Sequence, residues 1–109
     1  MQEHTGRAES EAALYFERAI QSGSTDPYDI ELLATLQAKA GKTQDAIGTV
    51  KRGLDLNPYS PRLYRVLTSL YVSIDNYDAA MGVLKKELEL YPEDSNTRKI
   101  IEKIEQPAM

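Results

Sequence analysis

The chain has 109 residues, with 17 acidic against 13 basic side chains, a net charge of −4 and a pI near 5.0. That balance excludes a nucleic-acid binder relying on overall positive charge, and the lack of cysteine excludes a disulfide framework or a thiolate metal site. No apolar run approaches the roughly 20 residues needed to cross a bilayer, so one soluble domain with a modest core is expected, with no membrane insertion and no compartment indicated.

The opening stretch MQEHTGRAESE is polar and acidic and is neither a signal nor a transit peptide. Residues 1–7 are expected to form a flexible tail. His4, the only histidine, lies there with no second group to orient it for catalysis. A helix over about 8–22 follows, with Ala12, Phe16 and Ala19 at helical spacing.

The next two units read alike. In residues 27–60, Ile30, Leu33, Leu36 and Ala40 share one side of a first helix. Pro27 suits its first turn, where a missing N–H costs nothing, and Asp26 caps it. Gly41 ends that helix and Thr43 is expected to cap the second, over about 43–56. In residues 61–94 the same roles fall to Pro61 and Ser60, then Tyr64, Leu67, Leu70, Tyr71 and Ile74, then a turn at Asp75 and Asn76. A second helix over about 77–90 stops ahead of Tyr91-Pro92, as the earlier one stops ahead of Asn57-Pro58, because proline disfavours helix in the residue before it. SNTRKIIEKIEQ, residues 95–106, forms a last helix, and 107–109 a short tail.

Laying 27–60 on 61–94 without a gap gives nine identities in 34 positions, among them Leu33/Leu67, Ala46/Ala80, Gly48/Gly82 and Pro58/Pro92. Self-similarity at a fixed period is the mark of a repeat architecture, in which each unit buries its apolar face on the next. Tyr64, Leu67, Thr68, Tyr71, Ala80, Leu84 and Pro92 follow the spacing W-x2-L-G-x2-Y…A-x3-F…P. Ile30, Leu33, Ala34, Gln37, Ala46, Val50 and Pro58 follow it more loosely. Over residues 8–106 the chain resembles the tetratricopeptide repeat family. It departs from the pattern in lacking the glycine after each leucine, and at Glu87, where the family prefers a small residue.

The resemblance implies an all-α fold, a right-handed solenoid of antiparallel helix hairpins with about six helices. It implies a domain of a partial repeat (8–26), two repeats (27–60 and 61–94) and a C-terminal capping helix (95–106). It also implies a concave groove lined by first helices that takes a peptide. Carried over by spacing, that groove shows Tyr28, Glu31, Leu32, Thr35 and Lys39, then Arg62, Arg65, Val66, Ser69 and Ser73, then Asn96, Lys99 and Lys103. Residues 61–74 hold two arginines and no acid. Arginine forks recognise carboxylates bidentately, which points to an acidic peptide partner; ordinary solubilising charge is the plainer reading. Of the seven tyrosines, Tyr64 and Tyr71 match family packing positions, Tyr77 is expected to seat the second helix, and Tyr59 and Tyr91 flank the inter-repeat prolines. Tyr28 alone faces the groove, as a candidate anchor. One subset of the family clamps a chaperone C-terminal carboxylate with Lys and Asn, then Asn, then Lys and Arg. The matching positions here hold Glu31 and Thr35, then Val66, then Asn96 and Ile100, so that clamp is absent.

Two further features stand outside the groove. In register the chain starts on a second helix and ends on a first one. An excision from a longer array with a solvating end helix accounts for this, and so does a head-to-tail homo-oligomer in which Leu14, Phe16 and Ile20 of one copy meet Ile100, Ile101 and Ile104 of the next. Gly48 and Gly82 sit at the same place inside both second helices, at a cost of about 1 kcal/mol each relative to alanine. Close contact on the convex side and tolerated drift are the two explanations. No Gly-rich phosphate loop, metal-ligand spacing or nucleophile elbow occurs, so no catalytic residue, metal or cofactor is expected. An RNA reader of the pentatricopeptide type, with a 35-residue period and a basic surface, fits neither the spacing nor the charge. The expected function is a non-enzymatic protein or peptide interaction module, with self-assembly through the ends as the alternative.

Overall fold

The helices begin and end where local chemistry dictates. The structure, a computed structural model, describes residues 2–23 and 26–106, with side chains from Ser10 onward except Ala12. Six α-helices form among these residues: α1 Gln2–Gln21, α2 Pro27–Lys39, α3 Thr43–Leu56, α4 Pro61–Ser73, α5 Tyr77–Leu90 and α6 Ser95–Glu105. No strand occurs among them. The side chain of Asp26 accepts from the Tyr28 N–H, Ser60 from Leu63, and Asp94 from both Asn96 and Thr97, so three first helices start on a side-chain cap. Asn76 caps α5 by accepting from Ala79. Thr43 does not cap α3. The helix starts at Thr43 itself, the cap position falls on Lys42, and no side chain bonds there. α1 starts at Gln2, ahead of the expected 8, because glutamine, glutamate, arginine and alanine in this stretch are good helix formers. His4 lies outside the described side chains.

Both hairpin turns use a left-handed residue. Gly41 has φ 81°, and Asp75, at the same place in the next unit, has φ 59°. Each lets the following N–H reach back to a carbonyl of the finished helix: Lys42 to Gln37, and Asn76 to Tyr71, both 2.9 Å. Ala40 and Ile74 stand at these turns and are exposed, although the helical period placed them with the apolar side. The inter-repeat turns also match. The Tyr64 hydroxyl donates to the Pro58 carbonyl and the Arg98 guanidinium donates to the Pro92 carbonyl, each at 2.7 Å and each from the fourth residue of its unit.

Each helix packs on the one before it, and α2 also lies against α4. The core joins Ile30 and Ala34 of α2, Ala46, Ile47 and Val50 of α3, Leu63, Leu67, Leu70 and Tyr71 of α4, and Ala80 of α5. Full burial of each large side chain contributes about 1.5–3 kcal/mol. Gln37 stands where the next unit has Tyr71, and accepts a 2.7 Å bond from the buried Thr49 hydroxyl in place of aromatic packing.

One glycine is demanded by packing. A Cβ on Gly53 would lie 2.7 Å from Cγ2 of Ile30 and 3.2 Å from Cδ1 of Leu63, both fully buried. The register equivalent of Gly53 is Glu87, only 1% exposed, with Oε2 lacking a hydrogen-bond partner. Burial pushes the Glu87 carboxyl above its ordinary value, the neighbouring Asp94 charge adds to this, and Arg65 opposes it. Asp94 is held below its ordinary value by the N–H groups and hydroxyl at the start of α6.

Gly53→Ala should lower stability in urea denaturation, because overpacking of about 1–3 kcal/mol outweighs the roughly 1 kcal/mol gain in helix propensity. Gly48→Ala and Gly82→Ala should each raise it by about 1 kcal/mol, since a Cβ at either place meets nothing within 4 Å. For Glu87 the folded state holds its proton to higher pH than the unfolded chain does. Its contribution to stability therefore falls as pH rises from the ordinary glutamate value of 4.5 through the raised one. Glu87→Gln should gain stability over the parent chain as pH climbs through that window, and a gap independent of pH would show that Glu87 is not the titrating group.

Candidate functional site

α4 carries two different faces. At 3.6 residues per turn, Arg62, Arg65, Val66 and Ser69 fall on one side and Tyr64, Leu67 and Tyr71 on the other. The first side meets α2 across a groove of about 610 Å³. Glu31, Thr35, Ala38 and Lys39 form one wall, and Arg62, Arg65, Val66, Ser69 and Leu70 the other. Because α2 and α4 occupy the same place in successive units, one helix face repeated at 34 residues builds both walls. Ala38, Val66 and Leu70 give an apolar floor, and polar or charged groups line the rest.

The charges are arranged, not scattered. Arg62 donates to Glu31 across the groove, the one close ion pair among the described residues. The Arg62 guanidinium also lies 5.8 Å from the Tyr28 ring centroid, within cation–π range. One of the two arginines expected to meet an acidic ligand is thus already matched, although an exposed pair of this kind is worth only about 0–1 kcal/mol. Arg65 sits close enough to Glu87 and Asp94 to favour the charged form of each. Lys39 completes the basic side of the lining.

Of the residues that spacing assigned to the groove, Glu31, Thr35, Lys39, Arg62, Arg65, Val66 and Ser69 come together in it. Tyr28 is exposed at its edge beside Arg62. Leu32 is half-buried and does not line the cavity. Ser73 turns back and donates to the Leu70 carbonyl at 2.6 Å. Asn96, Lys99 and Lys103 are exposed on α6, which packs on α5 and whose Cα atoms do not come within 8 Å of α4, so they lie outside the cavity. Ala38 and Leu70 were not assigned, yet each lies one turn beyond an assigned residue, Thr35 and Val66, on the same face.

Elsewhere, Leu14 is 46% and Ile100 40% exposed, whereas Ile20 and Ile104 pack against the chain's own core, and Phe16 and Ile101 are half-buried. Tyr15 meets Phe16 edge to face at 5.2 Å. Tyr64 and Tyr71 are buried, Tyr91 donates to the Tyr59 carbonyl, and Tyr77 is exposed with its hydroxyl on Asp75. Among the described residues no group of His, Cys, Asp or Glu could hold a metal ion, and no helix is long and apolar enough to cross a membrane.

In structure the chain is similar to a thermophilic TPR protein of Thermus thermophilus, with a TM-score of 0.79, 21% identity, and 95% of this chain matched to 53% of that one. It is similar to the first TPR of Spaghetti bound to an HSP90 peptide (TM-score 0.72, 16% identity, 94% of this chain and 89% of that one). It is also similar to MamA protein (TM-score 0.70, 18% identity, 94% and 56%). The chain spans about half the length of the Thermus protein and of MamA. These likenesses show the fold, a tetratricopeptide solenoid. No curated protein matches the chain by sequence. The family model for anaphase-promoting complex, cyclosome, subunit 3 matches residues 6–87, and with most of the chain inside that match the protein belongs to this tetratricopeptide-like family.

Proposed function

We propose that this chain is a non-enzymatic interaction module that holds an extended peptide segment in the groove between α2 and α4, with carboxylates of the segment directed at Arg65 and Lys39. The tetratricopeptide fold in general mediates protein–protein interaction, and its family is generally non-enzymatic. The observation that carries the reading is the groove itself, about 610 Å³ with an apolar floor between polar walls, the composition expected of a recognition site. The Spaghetti TPR, which shares this fold, is bound to the HSP90 peptide SRMEEVD. The side chains that clamp such a carboxylate in part of the family are replaced here by Glu31, Thr35, Val66, Asn96 and Ile100, so the ligand is a different acidic segment.

The Glu31–Arg62 pair acts as a brake on acid binding in this reading. Glu31 repels a carboxylate and occupies the arginine that would otherwise receive it. A segment that engages Arg62 has to displace Glu31, and one that engages Arg65 and Lys39 does not. Self-assembly is supported by a separate observation: Leu14 and Tyr15 of α1 and Ile100 of α6 are large apolar side chains left exposed at opposite ends of the helix order. Head-to-tail contact through them is the second reading.

Binding of labelled acidic peptides, followed by fluorescence anisotropy, checks the groove. Arg62→Ala with Arg65→Ala should weaken binding about tenfold, roughly 1.4 kcal/mol, and flatten its salt dependence. Glu31→Gln should tighten it, and SRMEEVD should bind no better than a scrambled version. Unchanged affinity in the arginine variant removes the acidic-ligand reading. Light scattering over a hundredfold concentration range checks the ends: mass should grow with concentration, Leu14→Lys with Ile100→Lys should abolish that growth, and a constant monomer mass eliminates head-to-tail assembly.

A further inference from the structure

The opposite face of α4 forms the floor of a second concavity, of about 650 Å³, between α3 and α5. No Cα atom of α3 lies within 8 Å of one in α5, so the two second helices stand apart over α4, whose Tyr64, Leu67 and Tyr71 show only the small exposed part of their surfaces between them. Tyr64, Leu67 and Tyr71 make the apolar base, with Leu54 and Val83 on the sides. Lys51 and Lys86 stand exposed on the two walls, with Asp55 beside Lys51 as the acid in the lining. The Lys51 ammonium lies 5.8 Å from the Tyr71 ring centroid. Neither lysine has a carboxylate within salt-bridge distance among the described residues.

Gly82 lies on the α5 wall of this concavity. It weakens the helix relative to alanine, and no contact among the described residues requires it, since a Cβ there would meet no atom within 4 Å. The missing side chain keeps the mouth of the concavity open. The paired positive walls are specific to this place. Thirty-four residues earlier, Lys51 and Lys86 correspond to Glu17 and Arg52, so the equivalent space between α1 and α3 has one wall of each sign.

We propose that this concavity is a second binding site, distinct from the α2–α4 groove, for a short peptide segment with one aliphatic or aromatic anchor flanked by carboxylates. The anchor occupies the base on Leu67 and Tyr71, passing Gly82, and the carboxylates meet Lys51 and Lys86. Charge complementarity selects this occupant: two ammonium groups without a salt-bridge partner among the described residues flank an apolar base on a chain whose net charge is −4. The single anchor in a desolvated pocket supplies most of the affinity, and the lysines supply orientation and choice of partner.

The test uses the full chain and a phage-displayed library of random heptapeptides, followed by anisotropy with the selected peptides. Enriched peptides should carry one large apolar residue next to two or more acids. Gly82→Leu, which fills the mouth while favouring the helix, should weaken them at least tenfold with no loss of melting temperature. Lys51→Glu with Lys86→Glu should do the same, and Thr35→Leu, which narrows the α2–α4 groove, should leave them unchanged. The proposal is overturned by a library without enrichment, by enriched peptides lacking acids, or by binding that survives Gly82→Leu. Loss with Thr35→Leu would also overturn it, by placing the peptide in the α2–α4 groove.

Discussion

Ile30, Gly53 and Leu63 meet at one point, and the solenoid depends on it. The contact brings together the first helix of one unit, the second helix of that unit and the first helix of the next. A hairpin alone leaves one apolar face in water. Closing Ile30 and Leu63 over a residue without a Cβ covers that face and fixes the angle at which the next hairpin enters. Thirty-four residues on, the same three places hold Tyr64, Glu87 and Thr97, all buried. The joint is kept and its chemistry is exchanged: a volume filled by methyl groups at the first junction is filled at the second by a carboxyl group and two hydroxyl-bearing side chains.

That exchange makes the second junction electrostatic. A buried carboxyl costs desolvation whenever it is charged, and the partial compensation comes from Arg65 on one side and the Thr97 hydroxyl of α6 on the other, while the neighbouring Asp94 works against it. Arg65 therefore belongs at once to the α5–α6 joint and to the wall of the α2–α4 groove. Under the proposed acidic ligand, a carboxylate at Arg65 would draw on the same guanidinium as the charge on Glu87.

Much of the architecture was legible in the letters because it rests on backbone rules. Pro27 and Pro61 at helix starts, Asp26 and Ser60 as caps, and the prolines after α3 and α5 each act within a few residues of themselves, and the 34-residue register repeats them. Most of the groove lining was legible for the same reason, since a helix face is a matter of period. What escaped depends on contacts between units. Gly53 goes unread in the sequence, because its role appears only when Ile30 and Leu63 are placed over it. Gly48 and Gly82 read equally as sites of close approach and as tolerated drift, and the open space beside each shows only that no atom of this chain makes that approach. Ile20 and Ile104 look like sticky ends, yet each is partly buried against the chain's own core. The signal for Gly53 was nevertheless present: Glu87, its register partner, already stood out at a place that favours small residues.

Charge was the least legible feature, because its meaning depends on who stands opposite. Arg62 and Arg65 are three residues apart on one helix and look alike in the sequence, but Arg62 faces an acid of the preceding unit and Arg65 faces acids of the following junction. Lys51 and Lys86, far apart in the chain and unremarked by the groove pattern, are brought to either side of one apolar base. In a solenoid each first helix is shared between two neighbours, so its two faces answer to different partners. α4, the central first helix, consequently has a polar groove over one face and an apolar concavity with basic walls over the other. The same packing that buries Tyr64, Leu67 and Tyr71 leaves a concavity over each face of the helix, the two places where recognition is proposed.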